Sequence, residues 1–128
     1  MRRSNPKEID AILSLDGAAR FAHFVKRVVD EERAWGLWKD GWALMSDAQG
    51  MVFPLWPARE YAERCRLGEW ADYEPREILL EDLLDGLIPM LETRDVRPAV
   101  FPTPTGKGVT VRCTELASAL NDEGVKYA

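Results

Sequence analysis

An α+β fold, an antiparallel sheet packed by helices, is the class this sequence predicts. Two amphipathic stripes lie far apart in the chain. Phe21, Phe24, Val25, Val28 and Val29 form one, and Leu80, Leu83, Leu84, Leu87, Ile88 and Leu91 the other, both at helical spacing. Aromatic and β-branched runs broken by Asp40-Gly41 and by the loop TPTGKG supply the strands. A chain of 128 residues, 46% hydrophobic and 30% charged, can bury its own core. The expected organisation is an N-terminal helical extension over residues 1–19 and a single α+β domain over 20–124.

The elements follow in order. PKEIDAILSL (6–15) carries Ile9, Ile12 and Leu13 on one side, with Ser4 or Asn5 as N-cap and Pro6 in the first turn, and predicts a short helix. Asp16-Gly17 breaks it, and the Phe21–Val29 stripe predicts a second helix whose outer face is Arg20, Lys26, Arg27, Asp30 and Glu31. From Ala34 the pattern alternates, and Asp40-Gly41 as a two-residue turn pairs Lys39 with Trp42 and Leu37 with Leu44. That register puts Trp35, Leu37, Trp42 and Leu44 on one face and Trp38, Ala43 and Met45 on the other. A second turn at Asp47–Gly50 leads into Met51–Trp56, which completes a three-stranded meander with Trp42–Ser46 at its centre.

AREYAERCR (58–66), introduced by Pro57 and stopped by Gly68, predicts a short surface helix with Tyr61, Ala62 and Cys65 on one side. Residues 69–76 read as an ordered loop before an extended piece at 76–79. The leucine stripe then predicts a helix disturbed at Pro89, which has no N–H for the Asp85 carbonyl. Val96–Pro102 and Gly108–Cys113 predict a second hairpin. Thr114 is the expected N-cap of a closing helix, 115–121, ending near Gly124.

Composition removes several chemistries. Cys65 and Cys113 stand apart with no paired spacing, which argues against a disulfide framework or structural zinc and for a cytoplasmic protein. The start MRRSNPKEID has no apolar stretch behind its basic residues, and no run approaches the ~18 apolar residues of a membrane span. The net charge of −5 is concentrated, since Glu69 to Asp85 holds seven acids against Arg76 alone. That stretch repels phosphates and would attract a basic partner, so nucleic-acid binding is not expected.

No catalytic set is legible. His23 lies beside an apolar stripe without an orienting carboxylate or nucleophile. Thr105-Gly106-Lys107-Gly108 lacks the earlier glycine of a phosphate loop, because Phe101 occupies that position, and reads as a hairpin turn. The acids Glu77, Glu81, Asp82 and Asp85 flank leucines as a solvated helix face does and carry no calcium-loop pattern. Neither a metal nor a cofactor is expected.

Five tryptophans fall between Trp35 and Trp70. The candidate binding surface is therefore Trp56, Tyr61, Trp70, Asp72 and Tyr73, where rigid aromatics meet an irregular acidic loop. Core packing of the short helix onto the meander accounts for the same aromatics.

FVKRVVDEERAWGLWKDGWAL, VFPLWPAREYAERCRLGEWADYEPREI and LEDLLDGLIPMLETRDVRPAVFP, followed by GKGVTV, together resemble the uncharacterised bacterial family called domain of unknown function 2750, over roughly residues 20–120. The resemblance implies a small cytosolic bacterial protein and transfers no catalytic residues. The leading expectation is a non-enzymatic protein-interaction module, an adaptor or immunity-like protein. The alternatives are a small-molecule or enzymatic pocket between the meander and the 57–66 helix, and a structural homodimer supported by apolar residues on both sheet faces.

Overall fold

The computed structural model describes residues 5–126. Helix α1 (Pro6–Leu13) begins at Asn5, whose side chain accepts from the Glu8 N–H at 2.8 Å; the alternative cap, Ser4, lies outside the described residues. Helix α2 (Gly17–Glu31) is capped by Asp16 and buries Phe24, Val25, Val28 and Val29 of the predicted stripe, while Phe21 at its start is only partly buried. α1 adds Ile9 to the same core.

The α+β class is as expected, with the strands in two sheets. Strand β1 (Arg33–Trp38) pairs antiparallel with β4 (Glu74–Leu79), Trp35 facing Glu77 and Leu37 facing Pro75. The second sheet has the order β2 (Met45–Asp47), β3 (Gly50–Leu55), β5 (Arg97–Val100), β6 (Val109–Thr110). β3 and β5 run parallel, which the long helical connection between them permits. The sheets join at Trp35 and Trp56, whose backbones exchange N–H···O bonds of 2.9 and 2.8 Å.

The predicted meander is corrected at its first turn. The loop takes three residues, Lys39-Asp40-Gly41, with Asp40 left-handed at φ 55° and the Lys39 N–H donating to the Gly41 carbonyl. Trp42 therefore opposes Trp38 and Ala43 bonds back to Leu37. One added residue shifts the second arm by one place and exchanges its faces. Trp42 joins Trp38, their rings 5.0 Å apart, while Leu44 is left 43% exposed. The pairing ends there, so 42–46 is no central strand and β1 finds its partner in β4. The hairpins β2–β3 and β5–β6 form as predicted.

Helix α3 (Arg59–Arg64) and a 3₁₀ turn (Gly68–Trp70) precede β4. The leucine-rich segment runs as α4 (Leu80–Asp82), a π turn (Leu83–Leu87) and α5 (Ile88–Thr93). This is how the chain accommodates Pro89: the Ile88 N–H donates five residues back to Leu83, so the missing donor falls where the ladder is already widened. Helix α6 (Cys113–Val125) closes the chain, starting beyond Arg112 rather than Thr114 and running through Gly124; it packs Leu116 and Leu120 against α2.

Candidate functional site

The expected binding residues separate into two groups. Trp56 and Tyr61 are wholly buried and cannot meet a partner in this fold. Trp56 follows β3, and its indole N–H donates to the Pro102 carbonyl at 2.9 Å, a polar partner found indoors. The Cys65 thiol reaches the same oxygen at 3.5 Å. Tyr61 lies edge-on to Phe101 at 4.9 Å between ring centroids. α3 is thus no surface helix: its Tyr61–Ala62–Cys65 side is pressed into the core, where burying large aromatic area is most favourable.

Trp70, Asp72 and Tyr73 remain at the surface. Gly68, at φ 58°, starts a tight ledge in which the Trp70 N–H donates to Leu67 and the Tyr73 N–H to Trp70, each at 3.0 Å. The half-buried Trp70 ring meets Trp56 perpendicularly, 6.1 Å between centroids, so a core tryptophan braces a surface one. Asp72 projects into solvent, 3.6 Å from the exposed Lys39 ammonium, a pair worth at most ~1 kcal/mol. Tyr73 is half buried against the core.

Beside this ledge lies an open, mainly apolar groove of about 470 Å³, walled by Leu67 and Trp70 on one side and Pro104 and Lys107 on the other, with Met45 and Cys65 also lining it. The second wall is the 103–107 loop, closed by reciprocal bonds between Thr103 and Gly106 of 2.9 and 3.2 Å. It is the hairpin turn the sequence predicts. Its Thr103 and Gly106 amides are spent on each other rather than converging on a phosphate. Gly108 ends it at φ 84°, where a Cβ would stand 2.8 Å from the Val100 carbonyl oxygen.

Chemically the groove is quiet. Burial pushes the Cys65 thiol up to about 11, so it stays protonated near neutrality and is a poor nucleophile. Cys113 is also raised, by burial first and then by the Glu92 charge. His23 packs against Tyr61 and Phe101 and does not line the groove. No group of three or more His, Cys, Asp or Glu placed to hold a metal occurs among the described residues. No helix among them is long and apolar enough to cross a membrane.

Sequence reasoning missed Leu67, which is 58% exposed on the groove wall. Its one signal was an isolated leucine between Arg66 and the turn glycine Gly68. A second aromatic group was also missed: Arg76 lies 4.2 Å over the Trp38 ring and 5.9 Å from Trp42, which itself rests on Phe53 at 5.6 Å. The register error hid it.

Comparison with curated proteins and with solved structures returns no significant match to either. Comparison with protein families returns one whose description is "Protein of unknown function (DUF2750)". Its profile matches residues 21–120, from the second turn of α2 to Leu120 of α6, and the chain belongs to that family.

Proposed function

We propose that this protein is a non-enzymatic protein-interaction module whose recognition face is the Trp70–Asp72–Tyr73 ledge with the adjoining groove. The observation that carries the reading is the bracing of Trp70 by Trp56. It presents a pre-set aromatic wall beside the exposed Leu67, so little side-chain entropy would be lost when a partner covers it. Asp72, largely solvated although 3.6 Å from Lys39, and Glu69 in the groove lining offer carboxylates to a basic partner on the side away from Lys107. The protonated thiol at the groove supports binding over covalent chemistry.

The test is quantitative capture with the wild-type protein, with Leu67→Asp/Asp72→Lys, and with a surface control at Glu115→Gln. Both altered residues are exposed, so the fold should survive, as circular dichroism would confirm. The reading predicts proteins retained by wild type and control and lost with the double variant. An identical captured set from all three would overturn it.

A second reading has its own observation, the reach of the groove inward to the buried Cys65. A small apolar ligand lodged there would raise Tm with the logarithm of its concentration above Kd, and Leu67→Asp would abolish the rise.

A further inference from the structure

A separate surface lies at the far end of β4. Leu79, Leu80 and Leu84 line a cleft of about 460 Å³ whose remaining lining residues are Glu32, Glu81 and Asp85. Leu79 is 49% exposed, an unusual position for the last residue of a strand beside two further leucines. Every ionisable lining residue is an acid. The nearest base along the chain, Arg33, is committed elsewhere, with one guanidinium nitrogen on Glu77 and another on the Glu31 carbonyl. Among the described residues, Glu32, Glu81 and Asp85 have no ion-pair partner.

Glu32 adds a cost that its neighbourhood does not need. It ends α2 in the left-handed region, φ 60° and ψ 32°, where glycine or asparagine is the usual occupant, and it sets a negative charge at the helix terminus that favours cations. Its carbonyl accepts the Leu80 N–H at 2.9 Å, which ties the end of α2 to the start of α4 and fixes the cleft between them. A glycine would make the same backbone bond without strain. What the glutamate adds is a carboxylate over the leucines.

We infer that this cleft docks a basic amphipathic segment of a protein partner, leucine-like side chains seated on Leu79, Leu80 and Leu84 and lysines or arginines on Glu32, Glu81 and Asp85. Charge complementarity selects this occupant. An uncharged apolar segment would leave three carboxylates partly desolvated and unpaired, and a second copy of this acidic chain would add to the repulsion. The inference is independent of the Trp70 groove, which none of these residues lines.

The experiment titrates the isotope-labelled full chain with a short Leu/Lys amphipathic helical peptide, alongside the same peptide with every lysine replaced by glutamine. Expected are amide shifts centred on residues 79–85 and a Kd that rises with salt. The glutamine peptide should bind about tenfold more weakly, as should the lysine peptide to Glu32→Gln/Glu81→Gln/Asp85→Gln. Leu79→Ser, at an exposed position, should weaken binding at unchanged charge. Glu92→Gln/Glu115→Gln/Asp122→Gln, which removes the same charge elsewhere, should not. Leu67→Asp should leave the titration unaltered, so failure here and failure of the groove reading are distinguishable. The inference is overturned if the peptide does not bind, or if the charge control weakens it equally. It is also overturned by equal binding of the glutamine peptide, by shifts centred on Trp70, by calcium alone moving residues 79–85, or by dimerisation that Leu79→Ser abolishes.

Discussion

The indole N–H of Trp56 and the carbonyl of Pro102 form a 2.9 Å hydrogen bond inside the core, linking the end of β3 to the loop that walls the surface groove. The Cys65 thiol is the other side-chain donor to that oxygen, at 3.5 Å, and a thiol is a weak one. Trp56→Phe keeps most of the ring and removes the donor. The expected loss is about 1–3 kcal/mol, read as a lower urea midpoint at unchanged m. It should also loosen residues 102–107, seen as faster amide exchange of Thr103 and Gly106.

Gly36 permits the packing of the second aromatic group. A Cβ there would stand 2.9 Å from the Trp42 ring, which packs against Trp38 and Phe53 and would have to shift toward its partly exposed side. Gly36→Ala should cost about 1–3 kcal/mol by overpacking. A change in tryptophan fluorescence, with Trp42 displaced from Arg76, would accompany it.

Glu32→Gly should stabilise the free protein by about 1 kcal/mol, by relieving a left-handed non-glycine residue and removing a misplaced charge. Thermal denaturation would register a higher Tm, whereas binding of a basic amphipathic peptide should weaken. A variant that gains stability and keeps its affinity would separate the strain from any binding role.

Cys65 should make the fold sensitive to alkali. Its folded pKa, about 11, lies above the ordinary thiol value, so the folded state holds a proton that the unfolded chain releases first. The associated stability is complete below the unfolded pKa and is lost as pH rises from about 9 towards 11. Cys65→Ala should flatten that decline in urea midpoints measured across the window. At pH 8 the native protein should react with a thiol reagent only at the rate of its opening.

Asp47 gives the opposite sign. The Gln49 N–H at 2.8 Å is the main cause that lowers its carboxyl, with Arg97 at 2.7 Å adding to it. Its contribution is therefore present above the unfolded aspartate pKa and disappears as pH falls through the folded value. Arg97→Ala should raise the Asp47 pKa in an NMR titration. It should also loosen the β2–β3 hairpin, which Arg97 clamps to β5 through Asp47 and Gln49.

Where hydrophobic period or turn chemistry acts over a few residues, the sequence was readable. The α2 stripe, the Asn5 cap, both surviving hairpins and the disturbance before Pro89 follow from spacing and missing donors, whereas Asp16, read only as a break, turned out to cap α2. The pairing of β1 with β4 was not legible, because nothing in RAWGLW names EPREIL as its partner across the intervening β2–β3 hairpin, α3 and 3₁₀ turn. Of the candidate site, Trp70, Asp72 and Tyr73 reach the surface where an irregular acidic loop had suggested it. The Glu32–Leu79 cleft combines residues too far apart in sequence to be seen together.

By itself the sequence determined the α+β class, the helix that carries the core stripe, and the family, since each depends on patterns written along the chain. Tertiary structure alone decided which tryptophans are core and which are surface. An indole suits either place equally until a particular carbonyl meets its N–H: Trp56 found Pro102 and sank, and Trp70 was left leaning on it at the rim.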